Sequence, residues 1–277
     1  MTVSPARRRL DAELVRRELA ASRTEAQEAI AAGLVTVDGA PATKAATQVH
    51  AGQAVVVAAP PRRFVSRGGE KLDHALERFA VEVSGRRCLD AGVSTGGFTD
   101  CLLQRGAGSV LAYDVGYGQV HEKLRQDERV EVHERTNVRD LTPDDLASPR
   151  PDLLVADLSF ISLASVLPVL RPLLRAPAEG IVLVKPQFEA ERGQVGKGGV
   201  VRDPAVWRQC LRRVTDAALA LDWRHLDLTA SPLLGPAGNV EFLLYLGPDD
   251  AGAAAVDVEA RVEAAVAEGA ARRGAAR

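Results

Sequence analysis

The sequence has little that would tie it to a membrane, a metal or an oxidising compartment. No stretch approaches the roughly 18 consecutive apolar residues of a membrane span. The arginines near the N-terminus are not followed by an apolar segment, so no secretory signal is expected. Cys88, Cys101 and Cys210 are an odd number, far apart and without a CxxC pair, which argues against a disulfide framework and a structural zinc site. The histidines (50, 74, 121, 133 and 225) are scattered and suggest no metal set. A reducing cytoplasm is the simplest setting.

What is present is ordinary globular material. The chain has 277 residues, 46% apolar and 26% charged, which is long for one core and comfortable for two unequal domains. The net charge of −2 conceals an asymmetry: residues 1–67 hold ten Lys/Arg against six Asp/Glu, and the remainder 25 against 31. A basic front end on an acidic body suits a polyanion-binding module, although a merely solvated surface would have the same balance.

Residues 10–20 have helical spacing, with Leu10, Leu14 and Leu19 on one side. A second helix is expected after Ser22, which stands three before Glu25 in a capping-box spacing, and Gly33 suits its end. The run LVTVDGAP alternates as a strand and turns on Asp38-Gly39, and a short strand follows at Val55–Val57. Pro60 and Pro61 mark a linker. Beyond it, strands at 88–92, 109–115, 129–135, 152–158 and 181–185 alternate with helices at 97–105, 163–175 and 204–221. Strands near 224–229 and 241–246 are joined by a turn-rich segment too short for a helical crossover, so they should pair antiparallel. The pattern predicts an α/β, doubly wound, mostly parallel Rossmann-like sheet with an antiparallel last strand, behind a small N-terminal α+β domain. The expected divisions are 1–60, a linker at 61–67, a catalytic domain at 68–250 and a C-terminal helical extension at 251–277.

In such a sheet, ligands bind beyond the carboxyl ends of the strands. The first strand of the second domain ends in Asp90-Ala91-Gly92-Val93-Ser94-Thr95-Gly96-Gly97-Phe98-Thr99, where glycines would let a nucleoside approach the backbone. The turn lacks the GxGxxG of dinucleotide enzymes. Asp114 ends the next strand and could accept both hydroxyls of a ribose, with Val115 beside it. Asn137 and Val138, after the third, could hold an adenine. Together these fit S-adenosylmethionine better than NAD, while a glycine turn alone could serve a plain bend.

Lys71, Asp157, Lys185 and Glu241 form a second constellation. Asp157 and Lys185 end buried apolar strands, where a charge is costly unless paired or used, and Glu241 opens the final strand. Lysines set among carboxylates suit methyl transfer to an alcohol: an amine orients the hydroxyl or takes its proton, and the carboxylates position the amines. A structural ion-pair network would use the same residue types. Arg7, Arg8, Arg9, Arg23 and Lys44 collectively suit RNA phosphates, though each alone reads as solvated surface. Phe160, in a loop after Asp157, suits either stacking on an extruded base or ordinary packing. The loop 189–203, with Arg192, Lys197 and Arg202 among glycines, could close over substrate.

The runs SRGGEKL (66–72), LDAGVSTGGFTD (89–100), DVGYGQ (114–119), ADLSFISL (156–163), VKPQFE (184–189), GQVGKGGVV (193–201) and GNVEF (238–242) closely resemble the TlyA, or hemolysin-A-like, rRNA methyltransferases, whose catalytic part is of the FtsJ ribose 2′-O-methyltransferase type. The front end resembles an S4 RNA-binding domain at Arg9-Leu10, Ser22-Arg23 and residues 33–39. Arg62-Arg63-Phe64-Val65 is similar to the family's linker motif, with Phe in place of Trp. The resemblance implies that Lys71, Asp157, Lys185 and Glu241 are a catalytic tetrad and that S-adenosylmethionine is the cofactor. It also implies a cytidine 2′-hydroxyl in ribosomal RNA or ribosomal subunits as acceptor, in 23S and, for the longer form of the family, 16S RNA. It implies neither metal nor membrane partner. A membrane-active hemolysin and a non-catalytic RNA-binding or ribosome-assembly protein are the competing functions.

Overall fold

The computed structural model describes residues 7–20, 22–58, 63–248 and 256–275. The chain divides into two compact units, residues 1–63 and 64–277. The first contains β1 (Arg7–Arg9), α1 (Leu10–Arg16), α2 (Arg23–Ala31), β2 (Val35–Val37), β3 (Ala40–Pro41), β4 (Gln48–His50) and β5 (Val55–Val57). Leu10 and Leu14 of α1 meet Ala26 and Ile30 of α2, Val35, Val49 and Val55 in one small core. β2 pairs antiparallel with β3 and β5. Asp38 and Gly39, at φ 49° and 81°, supply the two left-handed residues that a tight hairpin demands.

Two features of this unit depart from the sequence pattern. The helix expected to reach residue 20 stops at Arg16: Glu18 takes a φ of 59°, and Leu19 N turns back to Leu14 O at 2.9 Å. Leu19 is consequently 39% exposed while Leu10 and Leu14 are fully buried. The three arginines ahead of α1 form an exposed strand, with Arg7 opposite His50 and Arg9 opposite Gln48. Pro60, Pro61 and Arg62 of the expected linker lie outside the described residues.

The second unit runs α3 (Gly68–Phe79), β6 (Arg87–Ala91), α4 (Gly97–Gln104), β7 (Ser109–Tyr113), α5 (Glu122–Arg125), β8 (Val130–His133), β9 (Leu153–Ala156), α6 (Leu163–Leu170), β10 (Glu179–Val184), α7 (Pro186–Glu189), α8 (Pro204–Leu219), β11 (Trp223–Ala230), β12 (Phe242–Pro248) and α9 (Val258–Ala275). These strands form a seven-stranded sheet in the order β11-β12-β10-β9-β6-β7-β8. The five from β10 to β8 are parallel, and β12 enters antiparallel between β10 and β11. Apolar clusters cover both faces, one against α6, α8 and α9 and the other against α3 and α4. That double burial is why the central strands are continuous apolar runs rather than alternating ones. Phe64 is 3% exposed and packs within this unit, over a Gly69 that has no space for a side chain.

Candidate active site

The topology delivers the four charged residues of the proposed tetrad to two contacts. Asp157 follows β9 and Lys185 follows β10. Val184 pairs with Phe242, so the adjoining Lys185 and Glu241 leave the ladder at the same edge of the sheet. Lys71 comes from α3. Its Nζ donates to Glu241 Oε2 at 2.6 Å, and Lys185 Nζ lies 2.6 Å from Asp157 Oδ1, off the axis of a hydrogen bond, while donating to Ser159 Oγ at 3.0 Å. Lys71 and Lys185 are each 8% exposed and Glu241 is 2% exposed. Burying a single such charge would cost several kcal/mol, so each ammonium needs the carboxylate it has. Of its three donors the Lys185 ammonium spends one on Ser159, which leaves it donor capacity beside Asp157.

Next to Asp157 opens a cleft of ≈ 480 Å³ lined by Gly92, Ser94, Asp114, Val115, Asn137, Val138 and Asp157, among others. Asp114 is fixed by two backbone donors, Ser94 N to Oδ2 at 2.8 Å and Gly116 N to Oδ1 at 2.7 Å. Asn137 caps a short 3-10 turn, its Oδ1 accepting from Arg139 N at 3.1 Å. Gly92 has a φ of 93°, and a Cβ there would stand 2.7 Å from Asp157 O, so this glycine sets the spacing between the β6 and β9 strand ends.

The other residues expected at the cofactor site stand outside this lining. Phe98 is core. Thr99 Oγ1 donates to Asp90 Oδ2 at 2.6 Å beneath the cleft. Gly97 is required by packing rather than by ligand approach, since a Cβ there would collide with Ser66 Oγ and come within 2.8 Å of Gly69 N. Thr95 and Gly96 shape the same turn, which Thr95 ties to the α5 segment by accepting from His121 N at 3.2 Å. Asp90 is inaccessible, and its Oδ1 has no hydrogen-bond partner among the described residues. Burial pushes its acid up to about 7 against the Thr99 hydrogen bond, with the charges of Asp157 and Asp114 adding to the rise.

Phe160 stands at the mouth of the cleft, 91% exposed with a φ of 64°, its ring 5.2 Å from that of Phe188. Tyr117, next to the lining residue Gly116, is 67% exposed and lies under the Arg135 guanidinium at 4.0 Å. This pair was missed by sequence reasoning, although an aromatic in the glycine-flanked run DVGYGQ was a signal. The glycine loop is anchored more firmly than its composition suggests: Asn239, two residues before Glu241, accepts from Val201 N and donates to Gly199 O, both at 2.9 Å. Arg192, Lys197 and Arg202 remain exposed on it.

The family model for FtsJ-like methyltransferases matches residues 64–248, and that for the S4 domain matches residues 8–55. A Mycobacterium tuberculosis protein named 16S/23S rRNA (cytidine-2′-O)-methyltransferase TlyA is 54% identical over 95% of this chain and 98% of its own. The chain belongs to the TlyA family of FtsJ-like methyltransferases. YqxC of Bacillus subtilis is 48% identical over 86% of this TlyA-family chain and 85% of its own. A solved structure from Streptococcus thermophilus that bears a hemolysin name superposes with a TM-score of 0.73 at 36% identity, covering 99% of this chain and 100% of that one. Among the described residues of this methyltransferase, no helix is long and apolar enough to cross a membrane, and no group of three or more His, Cys, Asp or Glu could hold a metal ion.

The cations of the S4 domain are organised by acids that sequence reasoning overlooked. Asp11, fully buried, accepts from Arg9 Nη2 at 3.0 Å, Arg23 Nη2 at 2.8 Å and Gln27 Nε2 at 2.9 Å. Glu13, 1% exposed, accepts from Arg16 Nε and Arg17 Nε, both at 2.8 Å. Arg9 and Arg23 thus converge on one carboxylate with side chains still 45% and 57% exposed. Arg7, Arg8 and Lys44 are exposed and do not join that cluster.

Proposed function

We propose that this methyltransferase transfers the methyl group of S-adenosylmethionine to the ribose 2′-hydroxyl of cytidine in ribosomal RNA, in 23S and also in 16S RNA. The observation that carries this reading is the pair of lysine–carboxylate contacts, Lys71–Glu241 and Lys185–Asp157, with both lysines buried and Asp157 lining the cleft. The cleft suits the cofactor: Asp114, held by two backbone donors, presents a carboxylate to a ribose diol, and Asn137 with Val138 suits an adenine. When bound, the cofactor supplies an electrophilic methyl on a sulfonium.

The protein's part is alignment and one proton. Lys185 holds the acceptor hydroxyl through its remaining donor position, and Asp157 and Ser159 fix that amine in place. As the methyl passed from sulfur to the hydroxyl oxygen, the Lys185 amine, in its neutral form, would accept the hydroxyl proton. Lys71, held by Glu241, keeps a second cation at the acceptor. Residues 1–60 hold RNA phosphates through Arg7, Arg9, Arg23 and Lys44, residues 68–250 carry out the transfer, and Phe160 stacks on the target base. The name of the 54%-identical relative supports the acceptor assignment. Such a substrate sets the reaction in the cytoplasm, with ribosomal subunits as partners.

The test is incubation of the protein with methyl-labelled S-adenosylmethionine and ribosomal subunits that lack the modification, followed by mapping of the label. Label at a cytidine 2′-oxygen in both RNAs is the expected result. Label in 23S RNA alone would remove the 16S assignment, and no transfer to either would overturn the reading.

A further inference from the structure

Between β9 and α6 the chain makes a loop, residues 157–163, that is pinned twice by a single turn of another segment. Lys185, immediately before α7, pins its first half through Asp157 and Ser159. Glu189, the last residue of α7, pins its second half: Oε2 accepts from Ser162 Oγ and Oε1 from Leu163 N, both at 2.6 Å. The turn is in turn tied to α8, because Arg213 Nη1 donates to the Glu189 carbonyl at 2.7 Å. Between the two pins lies Phe160, backed by Phe188, which itself stands between Lys185 and Glu189 on α7.

Two features say that this arrangement is not simply cohesive. Glu189 is 2% exposed and, among the described residues, no cationic side chain bonds its carboxylate, so burial raises its acid from the ordinary value. A well-packed apolar residue would serve stability at least as well as a buried carboxylate. Phe160 holds a left-handed backbone, which is strained for a bulky residue, and its ring nevertheless stays in solvent. Such strain persists only where the surroundings over-determine it, and Glu189 supplies two of the bonds that do so.

We propose that Glu189 is a positioning residue for the acceptor: by holding Ser162 and Leu163 it fixes the loop that presents Phe160 and the Lys185 contacts to the incoming nucleotide. This rests on the reading of the site as an RNA ribose methyltransferase. Glu189 is not among the residues that line the cleft. Its influence is therefore expected on turnover and RNA use, ahead of cofactor affinity.

The experiment compares full-length wild type, Lys185→Ala, Glu189→Ala, Glu189→Gln and Ser162→Ala, with RNA titrated at saturating S-adenosylmethionine and cofactor Kd measured by calorimetry. Glu189→Ala should lower kcat about tenfold or more while cofactor Kd moves by less than about threefold. Glu189→Gln should recover most of the rate, because an amide oxygen can still accept from Leu163 N. Should Glu189→Ala not fold, Ser162→Ala removes one of the two bonds and should still lower kcat by about threefold. Wild-type kcat in Glu189→Ala or Ser162→Ala would overturn the proposal. So would a Glu189→Ala loss of rate matched by an equal loss of cofactor affinity, which marks a general structural role. Transfer by wild type but not by Lys185→Ala keeps the underlying reading standing whatever Glu189 does; no transfer by wild type removes both.

Discussion

The two units treat buried carboxylates in opposite ways. In the S4 domain, Asp11 and Glu13 lie beneath the surface and each gathers two arginines that remain partly in solvent. The Arg9 hydrogen bond leads the forces that hold the Asp11 carboxyl far below the usual range, and the Arg16 hydrogen bond leads those holding Glu13 down to about 2. In the methyltransferase domain, Asp90 and Glu189 are buried without a bonded cation, and burial raises both. The first arrangement uses an acid to hold cations at the surface. The second uses an acid to organise hydroxyl and amide donors inside the domain. The lysine pairs are a third case, in which the cation is buried and meets a carboxylate.

The sharpest break of this contrast is at the lysines. Lys185→Ala should lower methyl transfer by about a thousandfold or more while cofactor binding persists, as single-turnover rates and calorimetry would report; substantial remaining activity would reduce the pair to a structural contact. Next in size is Asp11→Asn, which leaves Arg9 and Arg23 facing each other without their anchor. It should lower the thermal midpoint of the S4 domain by roughly 5 °C at neutral pH. The sign of its pH dependence follows from a depressed acid: the stabilisation by Asp11 is fully present above its ordinary value of 3.8 and is lost as pH falls toward the folded value. Wild type should therefore lose its advantage over Asp11→Asn in acid, and a constant difference down to pH 2 would contradict the pairing.

Arg23→Gln tests the outward half of the S4 arrangement. RNA affinity should fall several-fold, and the slope of log affinity against log salt should shrink by about one, with turnover at saturating RNA unchanged. An unchanged slope would mean that Arg23 serves Asp11 alone. The smallest effect is expected at Asp90→Asn. With the acid raised to about 7, its contribution is fully present below 3.8 and is lost as pH rises to and through 7. The thermal midpoint of Asp90→Asn relative to wild type should rise by a few degrees between pH 4 and 7 and then level, a trend that a partnered Asp90 would not show.

The catalytic unit was largely legible in the sequence because its signals are local. Apolar runs ending in charge at Asp157 and Lys185 announce buried strands whose terminal charges must be paired, and the short turn before Glu241 announces an antiparallel return. What escaped depends on contacts distant in sequence or on spans too short for periodicity. Arg7–Arg9 becomes a strand through partners at 48–50, and three like-charged residues show no alternation. α5 and α7 are single turns. Asp11 in a first helical turn reads as a favourable dipole partner, and its burial follows only once Arg23 and Gln27 fold over it. The glycines were noticed, but the packing of Gly97 against Ser66 and Gly69 in the SRGG run joins segments some 30 residues apart and left no local signal.

The insertion of β12 between β10 and β11 bears on how the molecule comes to exist. Glu241 arrives with the penultimate element, so Lys71, made some 170 residues earlier, waits for its counter-ion through most of synthesis. A chain cut short before β12 has a gap in its sheet and a buried Lys71 without its carboxylate. The order of the strands thus leaves this contact to be closed late, when β12 slots between strands already made.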